Sequence, residues 1–501
     1  MVNENRDYLC VFILFLVNLC NNMDRYTIAG VLPDVQHYYS INDSMGGLIQ
    51  TVFLISFMIV SPLCGYLGDR YNRKFIMMTG MVIWLACVCA STFVPSNLFP
   101  LFLVIRSFVG VGEASYVNIC PTIIGDMFTS DKRTKVYMFY YLAVPVGSGL
   151  GYIISSRVAA ITHEWQWGVR VTGIFGVIAF ALLAIFVYEP VRGASEIAEG
   201  RKQTPKSLSY IEDLKVIIKC KTYIFITIGY TCLIFVSGTL SWWTPTILEY
   251  GLTWTLGYNN IKNLPNKYKN EIGSTFGLIT SLGGVVGVLL GNLLAQALIN
   301  GWLGRCLQTK RGHAISAGIG GAITLPCLII LFTMGYKSEL LSWIVIAIAL
   351  VGICFNWSLN VEVINNVIAA ERRSTAFAYD TLISHLFGDA SGPYIIGLIS
   401  DLIQNSHPTS AEWEYKSLAY ASLTAPVMMI ISICFYMLAA YTFVGDARRM
   451  KEGMDFAKSQ ETHVPDLSPI TSQLNVEENT RGDNNNQFDA RKYGSYDVCH
   501  M

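Results

Sequence analysis

Apolar runs of about twenty residues recur along this 501-residue chain from Tyr8 to Val444, and nothing else in it so narrows what it can fold into. Such a run matches the length an α-helix needs to cross about 30 Å of hydrocarbon while satisfying its own backbone groups. The runs fall near 8–32, 45–67, 75–95, 99–121, 135–156, 170–188, 223–247, 273–298, 313–334, 340–366, 377–403 and 418–444. Only 14% of the residues are charged and 52% are hydrophobic, against about 25% charged in an ordinary soluble domain. Lipid is therefore the solvent that this chain is built for. A β-barrel would need short alternating segments, which the runs do not show. The sequence predicts an all-α integral membrane protein with twelve transmembrane helices in two six-helix halves.

Loop charge sets the expected orientation. With the amino terminus in the cytosol, 22 Lys and Arg fall on the cytosolic side, seven of them between 189 and 221, and 7 fall on the opposite side. Positive charge is retained inside, so both termini are expected in the cytosol. Asn42-Asp43-Ser44 is a glycosylation sequon on the outer or lumenal side, with Asn42 the candidate acceptor. The charged connector with Pro190 and Pro205 divides the chain into an amino-terminal half (1–188), a cytosolic linker (189–221) and a carboxy-terminal half (222–444); the polar stretch 445–501 is expected to be a disordered cytosolic tail. Lys132-Arg133-Thr134 after the fourth span and Arg372-Arg373-Ser374 after the tenth echo one another, as parallel repeats would. Seven residues precede the first run, which lacks a cleavage site, so no removable signal peptide is expected. The thirteen cysteines, several inside apolar runs, suggest neither a disulfide framework nor a metal site. No cofactor is expected.

Between the second and third spans stands Gly65-Tyr66-Leu67-Gly68-Asp69-Arg70-Tyr71-Asn72-Arg73-Lys74. It resembles the signature loop of the major facilitator superfamily, G-x-L-x-D-R-x-G-R-K. Asp69 can pair with a helix terminus or a basic side chain in one conformation and release it in another, which makes Asp69, Arg70 and Arg73 gating candidates. Asn72 replaces the usual glycine, and its tolerance of positive φ is expected to preserve the turn. The corresponding loop of the second half, Gly301 to Gly312, has no Asp.

Charge inside hydrocarbon needs a cavity or a partner. Asp24 and Arg25 lie in the first span, and Arg106 and Glu113, seven residues or two helical turns apart, share a face of the fourth. A central polar cavity or a fixed ion-pair network satisfies them. Pro145-Val146-Gly147-Ser148-Gly149 in the fifth span reads as a hinge or packing seam, with Pro145 and Gly149 its key positions. Glu362 lies near the cytosolic end of the tenth span, and His385 with Asp389 one turn apart in the eleventh; His385 is a pH switch or a satisfied core histidine. Trp243, among the hydroxyls and aromatics of the seventh span, lines a pocket or anchors at the interface.

The blocks Asn22 to Pro33, Gly65 to Lys74, Val109 to Tyr116, Pro145 to Ile153, Arg372 to Ala376, Ser384 to Asp389 and Gly397 to Asp401 together resemble the spinster family of lysolipid and sphingolipid transporters, over nearly all of 8–444. That resemblance implies secondary-active, proton-coupled movement of a sphingolipid or lysophospholipid by alternating access, in the late endosome or lysosome membrane or at the plasma membrane, by a monomer. It implies that Asp24 and Glu113 carry the protons, that Arg106 and Arg25 hold the headgroup phosphate, and that Glu362 helps set the inner gate; Trp243 and His385 are further substrate-contact candidates, and Asp389 a further gating candidate, from their places inside the spans. A proton-coupled carrier of a water-soluble organic anion and a transporter-fold receptor or scaffold remain as alternatives. A phosphate-binding glycine loop, a His-rich metal motif and a nucleophile elbow are all missing from the sequence, so an enzyme is not expected, and nothing suggests nucleic-acid binding.

Overall fold

A computed structural model of the chain describes residues 4–128, 130–190, 210–304, 307–369, 372–408 and 410–461. Twelve helices among these are long and apolar enough to cross a membrane: α1 (Asn5–Tyr39), α2 (Asp43–Gly68), α3 (Arg73–Ser91), α4 (Phe99–Met127), α5 (Lys135–Thr162), α6 (Trp165–Phe186), α7 (Lys221–Thr255), α8 (Asn266–Asn300), α9 (Gly312–Lys337), α10 (Glu339–Val367), α11 (Thr375–Gln404) and α12 (Ala411–Met450). Each contains the run expected for it or most of that run, and no strand occurs among the described residues. The helices outrun the apolar runs because polar residues such as Asp43, Asn266 and Glu339 serve at their ends. The face that carries Asn5 and the loop from α2 to α3 is called the basic face below; the opposite one is the far face.

By its contacts the chain divides into Met1–Arg448, which holds the packing described here, and Arg449–Met501. Helix continues from Thr424 to Glu461, past Gly445, where the sequence placed the start of a disordered tail. The disorder expected beyond that point, and most of the expected linker, lie outside the described residues.

Helix meets helix closely where small residues allow it. A Cβ on Gly277 of α8 would stand 2.8 Å from Ile153 of α5 and would collide with the Gly149 carbonyl oxygen; a Cβ on Gly149 would strike Gly277 in return. The ring of Pro145 packs on Gly284, where an added Cβ would lie 2.6 Å from the proline Cβ. In lipid, where association is not driven by expulsion of water, such backbone proximity brings the dispersion contact that holds helices together. The glycine-rich stretch of the fifth span is thus a seam between α5 and α8, one of the places where the first six spans meet the last six.

Several spans are broken inside the membrane. In α1 the helix gives way to a 3₁₀ turn at Ala29–Val31, and Pro33 starts the next segment. In α11 helix runs to Phe387, breaks, and resumes at Gly392 with Pro393 in its first turn. A break frees carbonyls that hydrocarbon cannot satisfy, and neighbouring helices supply the donors. Thr51 of α2 donates to the Ala390 carbonyl in the break at 2.6 Å, and Trp243 of α7 adds a bond to the Pro393 carbonyl in the first turn of the resumed helix at 3.0 Å.

Candidate functional site

Asp24, Arg106 and Glu113 are 0%, 1% and 1% exposed, all within the first six spans. Arg106 and Glu113 project from one face of α4, as their spacing requires, toward α1. The nearest guanidinium nitrogen of Arg106, Nη1, stands 3.6 Å from Asp24 Oδ2, an ion pair too long to be a good hydrogen bond. Neutral donors hold Asp24 instead: Trp84 Nε1 of α3 at 3.3 Å and Thr172 Oγ1 of α6 at 3.1 Å. Asn21, one turn before Asp24, has its amide against Glu113 and Tyr116; with the amide turned so that its nitrogen faces the carboxylate, it donates to both Glu113 oxygens at 2.7 and 2.6 Å and to the Tyr116 hydroxyl at 3.3 Å.

The cations are less well served than the anions. Nε and Nη1 of Arg106 and Nε of Arg25 are buried without a hydrogen-bond acceptor. Both guanidiniums lie near the Phe53 ring of α2, at 5.3 Å for Arg25 and 5.8 Å for Arg106 from its centroid, and Arg25 is also 5.7 Å from Phe57. Cation–π contact offsets part of the desolvation, yet it leaves N–H groups aimed at no oxygen. Two guanidiniums and two carboxylates cancel in formal charge. What the arrangement can do is accept an anion on the guanidiniums, as carboxylate- or phosphate-binding arginines do.

The other expected site residues are scattered. His385 Nδ1 lies 3.0 Å from Asp389 Oδ1, with Asp389 in the break of α11 and packed on Gly238 of α7. Trp243 is buried against α11 through its bond to the Pro393 carbonyl, away from any lipid interface. Glu362 is exposed on α10. Asn42 is exposed, and its side chain is occupied as the cap of α2, accepting from Met45 N at 3.2 Å and Ser44 Oγ at 3.1 Å.

In the signature loop, Arg73 bonds Asp126 at the end of α4 at 2.5 Å and the Gly68 carbonyl at 3.3 Å, tying three helix ends together. Arg70 is exposed and lies 4.1 Å from the Tyr66 ring centroid. The side chain of Asp69 lies outside the described residues. Asn72 corrects an expectation: its φ is −59°, so the turn uses no left-handed residue. Asn replaces Gly here as a helix cap, its Oδ1 accepting from Phe75 N at 3.0 Å, which is what Asn does well at a helix start.

On the far face the two sets of six spans are bonded to each other. Lys269 of α8 pairs with Asp34 of α1 at 2.6 Å, Tyr152 of α5 donates to the Ser241 carbonyl of α7, and Asp401 of α11 accepts from Asp43 N and Ser44 N of α2, each at 3.0 Å.

Sequence reasoning missed the neutral partners Asn21, Trp84 and Thr172, and three carboxylates: Asp126, Asp401 and Asp380. Asp380 is buried in the last six spans between Thr227 Oγ1 at 2.8 Å and Asn360 Nδ2 at 2.7 Å. It was visible as a charge inside an apolar run, five residues before His385. Asn21 was visible too, since Asn18, Asn21, Asn22 and Arg25 recur at helical spacing in the first span.

Comparison with known proteins agrees with this architecture. The family model described as Major Facilitator Superfamily matches residues 14–261. Protein spinster homolog 3 of Danio rerio is 35% identical over 94% of this chain and 92% of its own length. The sphingosine-1-phosphate transporter SPNS2 of Xenopus tropicalis is 37% identical, covering 88% of this chain and 83% of that protein. Protein spinster homolog 1 of Homo sapiens is 36% identical, with 89% and 83% covered. Among solved structures, a bacterial homolog of the human lysosomal transporter spinster, inward-facing and unoccupied, superposes with a TM-score of 0.73 at 19% identity, over 89% of this chain and 99% of that one. A D-xylose–proton symporter gives 0.61 at 16% identity, over 87% and 97%, which speaks to the fold alone. The chain therefore belongs to the spinster family of the major facilitator superfamily, and it is a multi-pass membrane transporter rather than an enzyme.

Proposed function

We propose that this transporter moves a single-chain sphingolipid or lysophospholipid across its membrane by alternating access, with Asp24 and Glu113 as its proton-carrying groups. The observation that carries this reading is the under-bonded Arg106 beside Asp24. Its Nε and Nη1 have no hydrogen-bond acceptor in a buried site, and the 3.6 Å separation from Asp24 leaves the guanidinium available to a headgroup phosphate. A relative named as a sphingosine-1-phosphate transporter supports the choice of lipid.

In this reading the phosphate takes Arg106, with Arg25 beside it, while the carboxylates it displaces take up protons. Asn21, Trp84 and Thr172 hold those carboxylates in place in either protonation state, since each donates to an oxygen that remains an acceptor. The basic face is the cytosolic one, both termini are cytosolic, the linker and tail belong to that side, and the late endosome or lysosome is the compartment. The protein works as a monomer. Arg70, Arg73, Asp69 and Glu362 belong to the cytosolic gate, Pro145 and Gly149 to the seam that rocks, and His385 with Asp389 to the hinge of α11.

Binding to the purified protein tests the phosphate assignment. Arg106→Ala is expected to weaken sphingosine-1-phosphate by about tenfold to a hundredfold, as loss of a charge-assisted bond does, and to leave unphosphorylated sphingosine nearly unaffected; Arg106→Lys falls between. Equal effects on the two lipids would remove the phosphate from Arg106.

A further inference from the structure

The stretch Gly65-Tyr66-Leu67-Gly68-Asp69 has a counterpart with the same spacing elsewhere in the chain, Gly397-Leu398-Ile399-Ser400-Asp401. The first ends α2 at the basic face and the second ends α11 at the far face. These two helices run antiparallel, since contacts step down one as they step up the other: Asp43 with Asp401, Gly47 with Pro393, Thr51 with Ala390. An antiparallel pair carrying one motif at each carboxyl end is related to itself by a twofold axis in the membrane plane. Continued to the basic face, the same register sets Asp69 opposite Arg373, where the α11 helix begins. That is the position Asp401 occupies opposite Asp43, where the α2 helix begins.

The far copy is engaged. Asp401 places Oδ1 on Asp43 N and Oδ2 on Ser44 N, both at 3.0 Å, so one buried carboxylate caps the first turn of α2 with both oxygens and faces the positive end of its dipole. Ser400 Oγ donates to the Asp43 carboxylate at 2.7 Å, and Gln36 Nε2 donates to it at 2.9 Å, so α1, α2 and α11 are joined through one network. Gly397 lets the backbones meet, because a Cβ there would lie 2.6 Å from the Asp43 carbonyl carbon and 2.8 Å from Ser44 Cα. The corresponding glycine of the basic copy is in the opposite state: around the place where a Cβ on Gly65 would sit, nothing stands within 4 Å.

We propose that Asp401 is the latch of the far face, the antiparallel counterpart of the signature loop's aspartate, so that each access state is held by one copy of the G-x-[L/I]-x-D motif while the other is open. The proposal rests on the alternating-access reading above. Closing the far face docks Gly397 and Asp401 on the start of α2. Closing the basic face docks Gly65 and its motif on the start of α11. A single helix pair then rocks about the level of the Thr51–Ala390 bond, nearer the far face than the basic one, and the break of α11 at that level accommodates the bend.

Hydrogen–deuterium exchange on the full-length protein reads both ends of the pair at once. Asp401→Asn is expected to speed exchange of the amides of residues 43 and 44 by on the order of tenfold, as the loss of a charge-assisted cap requires, and to slow exchange at the basic-face segments 62–72 and 373–378. Ser400→Ala, which keeps the cap but removes its support, should shift both ends the same way by less, and it serves if Asp401→Asn does not fold. Asp69→Asn should do the reverse, and the double variant should return both ends toward wild type. Faster exchange at 43 and 44 with no protection gained at the basic face, while Asp69→Asn still moves both ends, would reduce Asp401 to a local helix cap and overturn the proposal. If neither variant couples the two ends, the alternating-access reading fails along with it.

Discussion

Arg106 is held by shape more than by bonds. It is buried, its closest carboxylate is at 3.6 Å, and its other neighbour is the Phe53 ring, so Asp24 is the partner that makes its burial tolerable. Removing one member of a buried ion pair strands the other, at a cost of about 3–5 kcal/mol, whereas removing both relieves it. Arg106→Ala should therefore lower thermal stability in detergent by about that much, and Asp24→Asn in the same chain should restore part of the loss, the coupling being read from the double-mutant cycle. At the foot of α7, Cys220 tests a different environment. Burial pushes its thiol up to about 12, beside Asp446, whose carboxylate takes the Thr222 amide at 2.9 Å. The neutral thiol then dominates at pH 7.5, so Cys220 should resist maleimide under conditions that label an unperturbed thiol, and its labelling should rise only as the solution is made strongly alkaline; mass spectrometry of the modified protein checks this. The charges of the site were legible in the sequence because ionised groups are rare inside apolar runs. Their neutral partners were not, since Trp84 and Thr172 are 60 and 148 residues from Asp24 and only the packing of α3 and α6 on α1 brings them there.

At the level of helices, the seam between α5 and α8 is where sequence and structure agree most directly, because glycine spacing reports how closely two backbones approach. Gly149→Val would put carbon where the Gly277 carbonyl and Ser281 hydroxyl stand, forcing the pair apart at about 1–3 kcal/mol. Gly65→Ala has open space around it and should leave melting temperature unchanged; thermal unfolding of the two variants side by side makes the comparison. The break in α11 was harder to see. Its residues, Gly388 to Ser391, sit in an apolar run that hydropathy reads straight through, and only Pro393 hinted that a helix starts again there. The break matters because its carbonyls recruit donors from other helices. Trp243→Phe removes the indole N–H bond to the Pro393 carbonyl, so it is expected to lose about 0.5–1.5 kcal/mol of stability without altering the hydrophobic fit. The Asn72 turn shows the opposite case, in which the residue was seen and its purpose misread: a glycine position suggested left-handed backbone, and the side chain turned out to cap α3 from ordinary φ.

Across the whole molecule, the twelve spans and their order followed from run length alone, because hydrocarbon permits so few alternatives to the helix. What run length could not supply was the contact between helices from opposite halves. The pairing of Asp401 with Asp43 joins residues 358 apart, and no periodicity in either segment predicts it. The same holds for the end of α12, where helix continues to Glu461, past the end of the last apolar run at Val444. That extension sets where the tail can be cut. Removing 462–501 should leave uptake into proteoliposomes at wild-type rate if the protein is a carrier, whereas a scaffold that signals through its tail would lose its cellular effect with transport untouched. The central claim is the linkage of lipid movement to protons through Asp24 and Glu113. Its most direct measurement is uptake of a labelled lysophospholipid or sphingosine-1-phosphate into proteoliposomes with and without a pH gradient. Wild-type uptake should rise with the gradient, and Asp24→Asn and Glu113→Gln should each abolish that rise while retaining exchange of lipid across the membrane. Gradient-driven uptake that survives unchanged in both variants would contradict it.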